Sequence, residues 1–117
     1  MEPSSPEWDD KAARLRISTV GRISGKQHEV IVDFVSDNES IYITGVRNKR
    51  DWIKNILRNS DVEVTIKDIR KKMVANLVQS EEKRASIQKL YKKKYPIISR
   101  LVRLAGPGKR VFKLTVR

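Results

Sequence analysis

The sequence contains no cysteine and only one histidine, His28, among its 117 residues. Disulfides and thiolate metal sites are therefore excluded, and a histidine cluster for a metal ion cannot form. A nucleophile–histidine–acid triad would have only His28 as its base, and a lone histidine beside a turn is usually an exposed polar residue. No pair of carboxylates has the spacing of a shared hydrolytic site. The sequence thus predicts no metal site and gives no support for acid/base hydrolysis.

Long hydrophobic runs are also absent. No stretch approaches the length of a membrane span, and the start, MEPSSPEWDD, is acidic and polar, unlike a secretory signal. We therefore expect a cytoplasmic protein without a membrane span. The length suits one domain with its own hydrophobic core. We assign that domain to 14–117 and a flexible N-terminal arm to 1–13.

Positive charge is abundant and unevenly distributed. The formal net charge is +12, but residues 1–66 carry −1 and residues 67–117 carry +13. A half-chain this basic attracts polyanions such as nucleic acid, acidic lipid or a phosphorylated, carboxylated ligand. The alternative is a solvated surface without a partner. The aromatic residues of this half, Tyr91, Tyr95 and Phe112, lie on faces assigned to the core, so any nucleic-acid binding should be weak and non-specific.

The hydrophobic periodicity predicts a strand-rich chain with helices at intervals. Alternating apolar residues indicate six strands, at 14–19, 29–36, 41–45, 62–66, 71–79 and 110–117. Helical spacing predicts helices at 51–58 and about 80–95, and a shorter basic helix between Pro96 and Gly106. The predicted buried stripes are Trp52, Ile53, Ile56 and Leu57 in the first helix, and Ile87, Leu90, Tyr91 and Tyr95 in the second. The first three strands indicate a meander. The fold class expected is mainly β with helices (α+β), as a small six-stranded antiparallel barrel, closed or split.

The first candidate site is the loop GRISGK, which lies between two predicted strands. Its glycines permit conformations in which backbone N–H groups point inward, while its side chains add positive charge and a hydroxyl. The loop lacks the spacing of a Walker phosphate loop. A basic hairpin turn without a ligand is the alternative interpretation. The anion-binding candidates here are Gly21, Arg22, Ser24, Gly25 and Lys26.

The second candidate site is the segment GVRNKRDW. Arg47, Lys49 and Arg50 precede a helix whose first N–H groups also favour anions. In that helix, Trp52 and Asn55 lie one turn apart and can act on one spot. Trp52 can equally anchor the core, as large aromatic residues do in small domains. Asn55, beside an apolar stripe, must find hydrogen-bond partners either in the backbone or in a ligand.

Together, the two segments resemble a known family. The order STVGRISGK, a strand, and then YITGVRNKRDWIKNILRNSDVEVTI is similar to the deazaflavin-dependent nitroreductase family, a branch of the flavin-binding split β-barrels related to pyridoxamine-phosphate oxidase. The ending RVFKLTVR resembles the last strand of that family. The matching positions are Ser18, Thr19, Gly21, Arg22, Ser24 and Gly25 in the first motif, and Trp52, Asn55, Asn59, Val62 and Val64 in the second.

The resemblance implies a split β-barrel that binds coenzyme F420 (8-hydroxy-5-deazaflavin) or FMN. It also implies hydride transfer between that cofactor and a small acceptor of the quinone, nitro or enone type. Because the cofactor supplies the hydride chemistry, no acid/base residue is required. Members of the superfamily commonly form homodimers with the cofactor at the interface. The alternative is a basic barrel that binds nucleic acid or a protein partner without redox activity. The implied cofactor-binding residues are Thr19, Gly21, Arg22, Ser24, Gly25, Lys26, Arg47, Lys49, Arg50, Trp52 and Asn55.

Overall fold

The computed structural model describes residues 8–9, 11–20, 25–37, 39–46, 51–95 and 109–117. This part of the chain forms seven strands and two helices. In chain order they are β1 (Arg14–Val20), β2 (Gln27–Asp33), β3 (Val35–Ser36), β4 (Ser40–Val46), α1 (Asp51–Arg58), β5 (Asp61–Ile66), β6 (Ile69–Leu77), α2 (Glu81–Lys94) and β7 (Lys109–Val116). The short helix predicted between Pro96 and Gly106 lies outside the described residues.

The strands of the described residues form one antiparallel sheet in the order β2-β1-β5-β6-β7-β4-β3. The two ends of this order, β2 and β3, are consecutive segments of the chain. β2 pairs with β1, with Arg14 opposite Asp33, whereas β3 pairs with β4, with Val35 opposite Tyr42. The sheet therefore curls until one stretch of chain belongs to both of its ends. This half-barrel with two helices confirms the predicted fold class.

The single strand predicted at 29–36 is observed as two segments, because the chain changes partner at Phe34. The Phe34 ring is fully buried. Its carbonyl accepts hydrogen bonds from Lys94 Nζ and Tyr95 Oη, both at 2.9 Å, instead of joining a ladder. The described residues thus contain seven strands rather than the six predicted.

The concave side of the sheet holds the larger core cluster, to which α1 contributes. Trp52, Ile53 and Ile56 are buried at helical spacing, as the sequence predicts. Leu57, assigned to the same stripe, is 47% exposed, because the apolar face of this eight-residue helix is too narrow to include it. The strand residues in this cluster include Leu15, Ile17, Ile41, Ile43, Val62, Val64, Ile66, Met73, Ala75, Phe112 and Leu114.

Helix α2 covers the opposite side of the sheet. Ser80 caps its start, with Oγ accepting from the backbone N–H of Lys83 at 3.3 Å. Acidic residues occupy its first turn and lysines its last, which suits the helix dipole. Its buried stripe confirms the predicted one. The smaller core cluster on this side consists of Val35, Tyr42, Val78, Ile87, Tyr91 and Val111, with Leu90 and Tyr95 packed against it.

The segment predicted to be a loose arm also contributes to the core. Trp8 and Ala12 belong to the larger cluster, with 6% and 9% of their surface exposed. Asp9 forms an ion pair with Lys67, in the turn between β5 and β6. The arm therefore contacts the barrel at these positions. The domain boundary at residue 14 stays a prediction.

Candidate functional site

Helix α1 links the two segments that the sequence singles out. The helix begins at Asp51, within the second segment and directly after its basic residues. In its first turn the Trp52 ring packs against Phe112 of β7, with centroids 6.3 Å apart. One turn later, Asn55 contacts Thr19 at the end of β1, two residues before the first loop. The helix thus reaches from β7 to β1 and brings two parts of the chain together that are distant in sequence. We call this region the loop end of the barrel.

The contact between α1 and β1 is a buried hydrogen bond. Asn55 Nδ2 donates to Thr19 Oγ1 at 3.1 Å, and both residues are only 1% exposed. The expected partners of Asn55 were the backbone or a ligand, whereas this partner is a side chain of the protein. This bond fixes the helix to the strand that leads into the first loop. Cofactor binding by Thr19 and Asn55 stays a prediction.

Trp52 is a core residue by its surroundings. It is 7% exposed and belongs to the larger core cluster, beside Phe112. Burial of an aromatic side chain of this size is a large contribution to the stability of a small domain. The structure therefore shows the packing role considered for Trp52, and a cofactor contact remains a prediction.

The first loop is described only at its end. Gly25 has a φ of +71°, in the left-handed region that favours glycine. Apart from its chain neighbours, no described residue has an atom within 4 Å of the place where a Cβ would stand. Lys26 follows it and is exposed. His28, opposite Thr19 in the β1–β2 ladder, is also exposed, as expected for a lone histidine near a turn. The other predicted anion-binding residues, Gly21, Arg22, Ser24, Arg47, Lys49 and Arg50, lie outside the described residues.

Arg110 is a cationic residue at the loop end that the sequence analysis did not select. It lies near the start of β7, opposite Gly45 of β4 and two residues before Phe112. Its Nε is buried and has no hydrogen-bond partner among the described residues. A signal was present in the sequence, because strand alternation places Arg110 on the same face as Phe112 and Leu114. A charged residue in an apolar register is the pattern that could have identified it.

Groups with shifted pKa values lie away from the loop end, in the Asp9–Lys67 ion pair and on the α2 side. Burial tends to raise the pKa of Asp37, but bonds from the Glu39 and Ser40 N–H groups and the Tyr42 hydroxyl prevail and lower it. Burial raises the pKa of Tyr42, with Lys83 opposing and Asp37 adding to the shift. These bonds organise the turn between β3 and β4, so we assign them a structural role.

Other possible sites are few in the part of the chain that the structure describes. No group of three potential metal ligands occurs there, and no helix is long and apolar enough to cross a membrane. Two surface grooves lie away from the loop end. One is lined mainly by Arg14, Leu15, Arg16, Ile31, Thr65, Lys67 and Asp68, the other by Lys11, Val35, Ser36, Leu90, Lys93 and Lys94.

The sequence matches the profile of the F420H(2)-dependent quinone reductase family over residues 7–101. No match is found among curated protein sequences.

Three solved structures illustrate the fold similarity. An F420-H2 dependent reductase (FDR-A) superposes with a TM-score of 0.69 at 23% identity, over 87% of this chain and 93% of its own. A candidate pyridoxamine 5'-phosphate oxidase from Listeria innocua gives 0.69 at 17% identity, over 90% and 84%. An Agrobacterium tumefaciens protein of unknown function gives 0.74 at 15% identity, over 90% of this chain. The chain spans about half of that protein, 48% of its length. At these identities the structural likeness shows the fold alone.

Proposed function

The chain belongs to the F420H(2)-dependent quinone reductase family, and from this premise we propose that it binds a deazaflavin cofactor at the loop end of the barrel. The reaction would be hydride transfer from the reduced cofactor to a small organic acceptor of the quinone, nitro or enone type. The observation that carries the proposal is the Asn55–Thr19 hydrogen bond, because it ties the helix that follows one candidate anion-binding segment to the strand that precedes the other.

The chemistry of the loop end suits such a cofactor. Coenzyme F420 carries a phosphodiester and a carboxylated glutamyl tail, and FMN carries a phosphate. Lys26 is exposed at this end, and Arg110 adds a buried guanidinium nitrogen that has no partner among the described residues. Arginine and lysine are the usual partners of phosphate and carboxylate oxygens. The residues present therefore fit an anionic flavin-type group.

Each part of the chain has a defined task in this proposal. The bound cofactor would supply the hydride chemistry. Arg22, Ser24 and Lys26 of the first loop would bind its phosphate. Arg47, Lys49 and Arg50 of the second segment would bind the same anionic side, next to the free N–H groups at the start of α1. The Asn55–Thr19 bond would hold these two segments at a fixed separation.

Charge reversal in the first loop tests the binding mode. We expect the double variant Arg22→Glu/Lys26→Glu to lose F420 binding while melting like the wild type, since surface substitutions usually cost little stability. The matched control is Lys11→Glu/Lys89→Glu, which makes the same charge change at two exposed positions outside the loop end. Titration of F420 followed by fluorescence, together with calorimetric melting, measures both effects. Unchanged affinity in a normally folded loop variant would refute the assignment.

The choice of cofactor and acceptor has its own experiment. We expect the purified protein to bind F420 in preference to FMN, and to oxidise F420H2 when a quinone, a nitro compound or an enone is added. Absorbance in the near ultraviolet and visible identifies a bound cofactor, and loss of F420H2 absorbance measures turnover. Binding of FMN with no affinity for F420 would replace the deazaflavin in this proposal.

A homodimer completes the proposal. The superfamily resemblance implies a cofactor site at a subunit interface, and an open sheet edge is commonly covered by association. Light scattering coupled to size exclusion, with and without F420, tests whether the chain is a dimer. If the protein is a monomer and binds F420 at full affinity, the binding site lies within one chain.

A further inference from the structure

Arg110 differs in its surroundings from the arginines for which the structure shows ion pairs. Four of those form pairs with carboxylates on the surface: Arg14 with Asp33, Arg16 with Glu29, Arg70 with Glu63 and Arg117 with Asp61. Their side chains are 59–71% exposed. Arg110 is less exposed than these, and its Nε is buried without a hydrogen-bond partner in the described part of the chain. The Nε–H donor of Arg110 therefore lacks the partner that the surface arginines have.

The position of Arg110 directs it to the barrel side of the sheet. Side chains alternate along β7, and Phe112 and Leu114 belong to the larger, concave-side core. Val111, between Arg110 and Phe112, packs in the smaller cluster beneath α2. Arg110 shares the face of Phe112, and the Phe112 ring contacts Trp52 in the first turn of α1. The guanidinium thus belongs to the region where α1 begins.

Strand β4 has no side chain opposite Arg110 that could neutralise its charge. Its partner across the ladder in β4 is Gly45, which has no side chain to cover or pair the guanidinium. The backbone carbonyl of Arg110 is used structurally, since it accepts from Thr44 Oγ1 at 3.0 Å. The backbone of Arg110 is therefore held in the sheet, while the Nε–H of its side chain has no partner among the described residues.

We infer that Arg110 is a further oxyanion-binding residue of the loop end, and that it donates to a phosphate or carboxylate of the bound cofactor. This inference rests on the proposed function for the identity of the ligand, though not for its charge. A buried donor without a partner costs free energy, and a charged donor costs more. An oxyanion removes this cost by accepting from the planar fork of guanidinium N–H groups. Arg110 would thereby add a contact from β7 to those of the two loops.

The inference predicts opposite effects on binding and on stability. Arg110→Met keeps an unbranched apolar stem in place of the aliphatic part of the side chain, and removes the charge and the Nε–H donor. We expect its affinity for F420 to fall about tenfold or more, as for loss of a charge-assisted hydrogen bond. The cofactor-free variant should melt at the same temperature as the wild type or higher, because a stranded donor has been removed. Arg110→Lys should recover part of the affinity, since it restores the charge without the fork.

Lys113→Met is the matched control. It removes one positive charge from the same strand, at a residue on the opposite face to Arg110 by strand alternation. We expect its F420 affinity to equal that of the wild type. Fluorescence titration with F420 and calorimetric melting of the cofactor-free proteins give both readouts. Unchanged F420 affinity in Arg110→Met, or a lower melting temperature that accounts for the lost affinity, would overturn the inference.

Pyrophosphate separates this inference from the proposed function. If the wild type fails to bind F420, the proposed function fails, and the melting temperature is then measured with and without pyrophosphate. A pyrophosphate-dependent rise in the wild type and in Lys113→Met, but not in Arg110→Met, would support an oxyanion site at Arg110 for another ligand. Equal responses of all three proteins, or no response in any, would overturn it.

Discussion

The α2 side of the sheet and the loop end of the barrel differ in the hydrogen bonding of their polar groups. Beneath α2, the tyrosine hydroxyls bind within the protein: Tyr91 Oη donates to the Tyr42 carbonyl at 3.3 Å, and Tyr42 Oη to Asp37 at 2.8 Å. Tyr95 Oη lies 2.7 Å from the Ala13 carbonyl. At the loop end, Arg110 Nε has no such partner among the described residues. Ser36 Oγ, in β3 beside α2, is also buried without a partner among the described residues. A stranded charged donor costs more free energy than a stranded hydroxyl, so Arg110 is the stronger indication of a place for a ligand.

Some of the positive charge of residues 67–117 is also used in contacts on the α2 side. Lys94 of α2 lies 3.5 Å from the centroid of the Phe34 ring, and Lys83 lies 5.0 Å from that of Tyr42. These lysines therefore make cation–π contacts with the fold. Tyr91 and Phe112 are buried, which leaves them unable to stack on bases. We continue to expect that any nucleic-acid binding is weak and steeply salt-dependent.

The largest expected effect concerns the α2 side alone. Ile87 is fully buried between α2 and the sheet, so Ile87→Ala should destabilise the protein by about 2–5 kcal/mol through lost burial and a cavity. Ser86→Ala, at the exposed neighbouring position, is the control and should change stability little. Urea unfolding measures the difference. If the folded Ile87→Ala protein also lost F420 affinity, the two regions would not be independent.

An intermediate effect is expected at the link between α1 and β1. Asn55→Ala removes a buried donor to Thr19, so the cofactor-free protein should lose about 1–3 kcal/mol of stability. Thr19→Val removes the acceptor, and the double variant completes a mutant cycle whose coupling energy isolates the hydrogen bond. Calorimetric melting of the four proteins gives that value. If the cofactor-free Asn55→Ala variant melts like the wild type but binds F420 poorly, Asn55 is instead a ligand contact.

The smallest effect is a pH dependence on the α2 side. Hydrogen bonds outweigh burial and lower the pKa of Asp37 in the folded protein. The folded state therefore binds fewer protons at this carboxyl than the unfolded state, so its contribution is complete above the unfolded pKa, roughly 4, and is lost as the pH falls. In Asp37→Asn, the free energy of unfolding should fall less steeply as the pH is lowered. A decrease as steep as that of the wild type would show that Asp37 does not contribute to it.

Periodicity in the sequence predicted much of the fold. The stripe of α2 and the alternation of β7 depend on residues close in sequence, and both are observed. The break at Phe34 was not predicted, since it depends on which strands meet when the sheet curls. Leu57 was assigned wrongly because spacing alone does not give the width of a buried face.

The candidate site was less accessible to sequence reasoning. Asn55 was recognised as a residue in need of a partner, but its partner, Thr19, lies 36 residues away. Distances of this kind follow from the tertiary arrangement and not from local pattern. Arg110 carries a visible signal, a cation in an apolar register, yet only the surrounding structure shows that its Nε has no partner in the described part of the chain.

The location of β7 also has a consequence for how the chain folds. β7 lies between β6 and β4 in the sheet although it follows both in sequence, and Thr44 bonds to Arg110 across 66 residues. Until β7 inserts, one edge of each of these strands is open and able to pair with another chain. Long-range pairing of this kind slows folding because a large loop must close first. Assembly of the barrel should therefore have a late, aggregation-prone step, which ends when the last strand of the sheet is in place.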